Sequence, residues 1–375
     1  MNKKLVAVAV AGLLAAPLAA QAQTANVTLY GRLNLTMEAV SGQQVQAELP
    51  ASAAPVNRTV YRVSTNSSRL GVRGSEALGG GLSAIFQIES SINADSGGGT
   101  LAGRETFVGL QGSWGTFKMG NFLAPYDDIH PIFGNVPTLT TSILSTAALW
   151  AQGSQSKDNG GFDARLGNSI RYDSPRIGGF LGSIQIAEGD TSNSSLAQQQ
   201  RHAYVLSMGG FYANGPAQVG IAYEANTKIR CLTCNDWAFS VAGNWNFGVV
   251  KIGGVYERLD YDQSVGSITR NFWGISATAP IGPGELYAFY GDAGDGSGSA
   301  PNGTTVGQLT KGNSTGAAQW EISYTYALSK RTLAYTGFVQ TRNDNGAAYN
   351  FNINPYAVVK GANANGFVMG LVHFF

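Results

Sequence analysis

The chain has 375 residues, with 24 Lys and Arg against 23 Asp and Glu. So even a balance offers no basic surface for nucleic acid, and with only 13% of residues charged any electrostatic function must come from local arrangement. Its 50 glycines, 16 tyrosines and 17 phenylalanines, with a mean hydropathy near zero, suit β-structure with one apolar and one polar face.

Residues 1–4 form a short basic head, 5–18 a small apolar run, and Ala20, Gln21 and Ala22 an A-x-A site. This is the pattern of a secretory signal peptide, with cleavage expected after Ala22 and residues 23–375 as the working domain. The run falls short of the roughly 20 apolar residues that a spanning helix needs, and no later stretch approaches that length. A mature chain placed in a membrane would therefore cross it as a closed barrel, because lipid tolerates only helices and closed sheets. Removal of Lys3 and Lys4 leaves 22 basic residues against 23 acidic ones.

Over 27–37 one face carries Val27, Leu29, Gly31, Leu33, Leu35 and Met37, and the other Thr28, Tyr30, Arg32, Asn34 and Thr36. A strand separates these sets and a helix would scatter them. A first long loop is expected over 42–55. The second strand is expected over about 59–74, broken near Thr65 and Asn66, with Arg69 and Arg73 sharing the face opposite Leu70 and Val72. A turn at 75–80 leads to a third strand alternating over 82–89, and Gly97, Gly98 and Gly99 mark the next loop. Strands four and five flank the tight turn GSWG at 112–115, and in strand five Lys118 points away from Phe117 and Met119.

The connection that follows, from Phe122 to about Gly167, exceeds forty residues. A structureless loop of that size is uncommon unless it is functional. It carries Pro125, Asp127, Asp128, His130, Pro131 and Pro137, then a mildly apolar stretch over 143–150. The expectation is a loop folded into the barrel, where the apolar part can pack. Strand six follows, with Arg171 alternating with Ile170 and Tyr172.

Short turns recur at 175–179, 214–216, 246–248, 279–284 and 328–331, and long polar connections near 189–200, 226–235, 259–269, 292–315 and 343–365. Alternating short and long connections mark membrane hairpins, with short periplasmic turns and long external loops. The segments sum to 16 strands, about 22 residues each with their share of loop, which accommodates the 9–11 residues that cross a bilayer. Cys231 and Cys234, in RCLTCN at 230–235, read as a small loop disulfide in an exported protein. A redox C-x-x-C would need a βαβ setting, and a zinc site two more ligands. The ending GFVMGLVHFF at 366–375 places Phe367, Met369, Leu371, His373 and Phe375 on one face, as a closing strand that meets the first would.

Seven motifs in order carry a resemblance that covers nearly the whole mature chain. They are VTLYG at 27–31, SRLGVRG at 68–74 with EALGG at 76–80, AIFQ at 84–87, FVGL at 107–110, NSIRYDSP at 168–175, YALSKRT at 326–332 and GLVHFF at 370–375. The chain resembles the general diffusion porins of Gram-negative bacteria, of the type found in Burkholderia, Bordetella and Neisseria. The resemblance implies an all-β fold, a 16-stranded antiparallel transmembrane β-barrel with an inward-folded third external loop. It also implies a homotrimer in the outer membrane, among lipid and lipopolysaccharide, passing ions and small hydrophilic solutes without a cofactor. In such porins acidic groups on the loop face basic groups on the wall, and opposed charges set ion preference. Carried over, the wall candidates are Arg32, Arg69, Arg73, Lys118 and Arg171, and the loop candidates Asp127 and Asp128. The sequence departs from the pattern where Asn121 stands in place of an arginine, where Ile132 replaces a glutamate in HPIFG at 130–134, and where Val372 and Phe374 occupy inner positions that relatives often fill with basic residues.

Three rival functions stand beside this reading: an enzyme, a substrate-selective channel, and a purely adhesive or structural role resting on the external loops. An enzyme on a barrel needs a nucleophile with a base in reach, and the histidines are His130, His202 and His373, with no marked serine motif. A substrate-selective channel needs a binding track for one small solute, which inward aromatics such as Tyr30 would supply.

Overall fold

Strict alternation of apolar and polar side chains drives the architecture. In the computed structural model, which describes residues 26–44, 54–135, 142–152, 156–188 and 202–375, the chain forms sixteen antiparallel spans, each bonded to its sequence neighbours. They are β1 (Asn26–Gln44), β2 in two parts (Val56–Thr65 and Arg69–Gly79), β3 (Leu82–Ser91), β4 (Thr106–Gly112), β5 (Gly115–Leu123), β6 (Arg165–Asp173), β7 (Phe180–Glu188) and β8 (Tyr204–Asn214). The second half comprises β9 (Ala217–Thr227), β10 (Asn235–Asn246), β11 (Lys251–Asp262), β12 (Ser267–Ile281), β13 (Gly284–Ala293), β14 (Ala317–Ala327), β15 (Thr332–Asn343) and β16 (Ala364–Phe374). The expected signal peptide at 1–22, residues 45–53 of the expected first long loop and the whole of the connection at 189–200 lie outside the described residues.

The sheet closes on itself. β16 pairs antiparallel with β1, Leu33 opposite His373 and Leu35 opposite Leu371. Gly31 N donates to Phe375 O at 2.9 Å and Phe375 N to Gly31 O at 3.1 Å. A Cβ on Gly31 would lie 2.5 Å from the Phe375 ring, so the seam needs glycine there. Closure removes the unpaired edge that a membrane would not tolerate.

The faces are inverted relative to a water-soluble protein. Met37, Tyr61, Ile170, Ile186, Ile221, Trp273, Ile322 and Leu371 are exposed, while Asn34, Thr36, Gln185, Glu224, Glu257 and Gln319 are buried. The exposed set is the lipid surface and the buried set the inner wall, as expected for a membrane barrel. Stacked or tilted aromatic pairs mark two levels of this surface. Trp114 with Tyr172 and Phe180 with Tyr212 lie near the short turns, and Trp273 with Tyr290 and Trp320 with Phe338 lie nearer the long loops. Such aromatic girdles sit at the two membrane–water boundaries.

The break in β2 falls at residues 66–68. There Ser68 Oγ takes a bond from Asn34 N and gives one to Asn34 O, and Asn66 Nδ2 donates to Thr36 Oγ1 at 2.8 Å. Between the pairs Leu35–Thr65 and Arg32–Arg69, three residues of β2 face two of β1. The extra residue resets the alternation, so Arg69 and Arg73 turn inward while Leu70 stays outward.

Three expectations of extent need correction. β1 continues to Gln44, the second span runs through the expected turn at 75–80 as far as Gly79, and 259–269 is almost entirely strand, with only residues 263–266 between β11 and β12. The polar residues there sit on strand ends that rise out of the lipid into water. Lipid no longer dictates an apolar outer face at that height, so polarity does not signal a loop.

Candidate functional site

The long connection after β5 lies against the inner wall. It opens with a tight 3-10 turn (Asp127–Ile129) and one turn of helix, α1 (His130–Phe133), with Pro131 in its first turn, where a missing N–H costs nothing. Ile143, Leu144, Ala147, Leu149 and Trp150, from the apolar stretch, are fully buried. At about 2 kcal/mol for each large apolar side chain removed from water, this stretch favours packing over exposure. The wall provides a seat of small residues. A Cβ on Gly220 would lie 2.5 Å from Ile132, one on Gly366 2.6 Å from Ile143, and one on Gly337 3.0 Å from Leu144. Ile132 is thus an apolar anchor.

Polar bonds fix the register of loop and wall. Asn244 Nδ2 donates to Ile132 O at 2.7 Å, Tyr287 Oη to Phe133 O at 2.7 Å, Trp150 Nε1 to Ser240 Oγ at 3.1 Å and Gln319 Nε2 to Ser145 O at 2.8 Å. Glu257 of β11 accepts from Tyr126 Oη at 2.7 Å and from Ala151 N at 2.9 Å. His130 stacks on Trp150 and shares a 2.8 Å hydrogen bond with Thr146 Oγ1. Burial pushes its imidazole down to about 4, so it is neutral at pH 7 and packed as a structural aromatic.

The charged side chains gather on the opposite part of the wall, β1 to β6. Arg32 is buried at the seam, its guanidinium donating to Ser67 O and Asn66 O across the break in β2. Glu89 accepts from Arg104 Nε at 2.6 Å, Tyr30 Oη at 3.0 Å and Arg69 Nη1 at 3.3 Å. Arg165, at the start of β6, pairs with Glu105 at 3.3 Å. Arg171 bonds both Asp128 at 2.6 Å and Asp173 at 2.8 Å. Lys118 lies between the rings of Phe107 and Phe122, with Nζ 3.9 Å from Asp173. Arg73 is apart from the others: it is exposed, opposite Thr28 near the short-turn end, with its guanidinium 4.9 Å over the Tyr30 ring.

The structure therefore brings Arg171 and Asp128, one wall and one loop candidate, into contact, and places Arg32 and Arg69 opposite each other in register. Asp127 makes no ion pair among the described residues. Burial, reinforced by Asp128, pushes its carboxyl up to about 7. Tyr30, the aromatic suggested for a solute track, has its hydroxyl on Glu89 and its ring under Arg73. Sequence reading missed Arg104 and Arg165. Asn121 donates its amide to Arg104 O at 2.8 Å and so fixes the main chain of that arginine. Cys231 and Cys234 are disulfide-bonded in the loop between β9 and β10, beside the pairing of Arg230 with Asp236.

A closed sixteen-stranded barrel with a lipid-facing apolar band, a loop on its inner wall and a charged lumen defines an outer-membrane channel of the porin class. The sequence matches the Gram-negative porin family over residues 7–346, and the chain belongs to that family. It is 29% identical to outer membrane porin protein 32 of Delftia acidovorans over the full length of both chains. It is 31% identical to major outer membrane protein P.IB of Neisseria meningitidis serogroup B over 61% of each. Among solved structures it is similar to an anion-selective porin from Comamonas acidovorans, with a TM-score of 0.73 and 25% identity over 94% of this chain and 100% of that one. Salmonella typhi OmpF shares the fold alone, with a TM-score of 0.61 and 14% identity over 94% and 99%. The protein is thus an outer-membrane porin, a channel for passive diffusion of ions and small hydrophilic solutes.

Proposed function

We propose that this porin prefers anions, and that the lumen wall formed by β1 to β6 sets the preference. The observation that carries the reading is the charge count there. Arg32, Arg62, Arg69, Arg73, Arg104, Lys118, Arg165 and Arg171 outnumber Glu38, Glu89, Glu105, Asp127, Asp128 and Asp173. Each acid apart from Asp127 is held by at least one of these bases, so the unbalanced charge is positive. Charge rings of one sign concentrate the opposite ion in a narrow aqueous path. The similar Comamonas acidovorans protein is described as anion-selective, which accords with this reading. Asp127 and Asp128 on the loop act as modulators of that field.

The assembly is a homotrimer set among outer-membrane lipid and lipopolysaccharide. In support, the outer surface over the seam carries Met37, Tyr61, Val63, Phe367 and Met369, all exposed and apolar. A channel reading over a catalytic one is supported by the loop histidine, His130, which is packed among Phe133, Thr146 and Trp150. Liposome swelling with size-matched solutes tests the central reading. An anionic sugar acid should enter faster than the neutral polyol of the same size, and equal or slower entry would refute it. A monomeric mass in mild detergent would refute the trimer.

A further inference from the structure

We infer that Glu257 is a positioning residue that sets the width of the channel by clamping both limbs of the inward loop to the wall. The inference rests on the channel reading above and goes beyond it, since the charged wall governs which ions pass and this clamp governs how much room they have.

Glu257 lies on the inner face of β11, opposite the charged wall, and its side chain and that of Arg270 on β12 are 0% exposed. Its carboxylate gathers groups far apart in sequence. Oε1 accepts from Tyr126 Oη on the outgoing limb and from Ala151 N on the returning limb, and Oε2 accepts from Ala151 N at 3.1 Å and from Arg270 Nη2 at 3.2 Å. Arg270 extends the clamp to Leu149 O, again on the returning limb, and to Tyr349 Oη at 3.3 Å in the connection before β16. Tyr126 and Trp150 stack 5.4 Å apart beside it, bringing the two limbs together. Ala151 has a φ of 52°, a conformation that a non-glycine residue holds only where its surroundings enforce it; here that conformation delivers its N–H to Glu257.

A buried ion pair is a poor device for stability alone, since apolar packing of the same volume does as well. Its advantage is directional: charge-assisted bonds of fixed geometry specify one placement. Asn244, Ser240 and Gln319 make neutral bonds to single points of the loop. Among the described residues Glu257 is the one charged wall acceptor that takes bonds from both limbs.

The test uses the full-length porin in planar bilayers and in liposomes, with barrel formation followed by the mobility shift between heated and unheated samples. Glu257→Ala should give a folded barrel with raised single-channel conductance, greater current noise, and entry of neutral oligosaccharides one sugar larger than wild type admits. Its ion preference should stay on the anion side, because Glu257 is away from the charged wall. Glu257→Gln retains an acceptor for Tyr126 and Ala151 and should restore the wild-type size limit. Tyr126→Phe keeps the ring and removes one bond, and should raise the noise without loss of folding. Wild-type conductance and size limit in folded Glu257→Ala would overturn the clamp. Should Glu257→Ala not fold, wild-type noise in Tyr126→Phe would do the same. A wild-type protein that passes no current would overturn both this inference and the channel reading.

Discussion

Replacing Arg104 by glutamine isolates the contribution of one wall charge. Glu89 keeps Arg69 and Tyr30 as partners in the variant, so no acid is stranded, and the positive excess of the lumen falls by one. At roughly 7 Å across water, one unit charge acts on a passing ion with about 0.6 kcal/mol. Screening over a Debye length of about 10 Å at 0.1 M salt roughly halves that value. The contribution has opposite signs for anion and cation, so their difference is again about 0.6 kcal/mol, or about threefold in the permeability ratio. Reversal potentials in a potassium chloride gradient read that ratio directly. Arg104→Gln should lower the anion-to-cation ratio about threefold, and Glu89→Gln should raise it by a similar factor. The double variant restores the net charge and should return near the wild-type value. Single variants that conduct normally with an unchanged ratio would refute the reasoning, as would a double variant far from wild type.

Other outcomes follow from the same geometry. The Asp127 carboxyl, faced by Asp128, Arg165, Glu105 and Arg171, titrates near pH 7 instead of about 4. Its charged form is the disfavoured one in the folded protein, so its contribution to stability is complete below about pH 4 and declines as pH rises through about 7. Below pH 7 the lumen also gains one unit of positive excess. Anion preference should therefore rise as pH falls from 8 to 6, and a flat profile in Asp127→Asn, measured by the same reversal potentials, checks the assignment. Deleting Phe375 removes both backbone bonds to Gly31 and should lower the yield of barrel resistant to unheated detergent; an undiminished yield would contradict the seam. Cys231→Ser with Cys234→Ser should loosen the loop at 228–235 by about 2 kcal/mol, seen as faster amide exchange there, and leave conductance unchanged. Slower conductance would place that loop in the ion path.

What the sequence made legible follows from how local each signal is. The alternation over 27–37 and 366–375 is local, and both strands meet at the seam that it implies, Leu33 opposite His373. The break near Thr65 and Asn66 was visible because polar residues interrupt the apolar period. The apolar stretch 143–150 stood out because nothing in an external loop explains it, and its residues are buried against the wall. Arg104 and Arg165 escaped because each lies at the edge of a strand, β4 or β6, where no run of alternation yet assigns a face. Glu257 escaped for a different reason. Its inward parity opposite Tyr256 is readable, but its partners Tyr126 and Ala151 are more than 100 residues away, and no local pattern announces them. The glycines at 220, 337 and 366 carried a signal that was not used: inner-face glycines on neighbouring walls mark where another segment must approach closely.

The central claim is an open, water-filled lumen whose β1-to-β6 wall carries an unbalanced positive charge. Single-channel recording of the purified protein in a salt gradient tests it most directly. Stable conductance steps with a reversal potential on the anion side are the expected result. A barrel that conducts no current, or one whose reversal potential lies on the cation side, would contradict it.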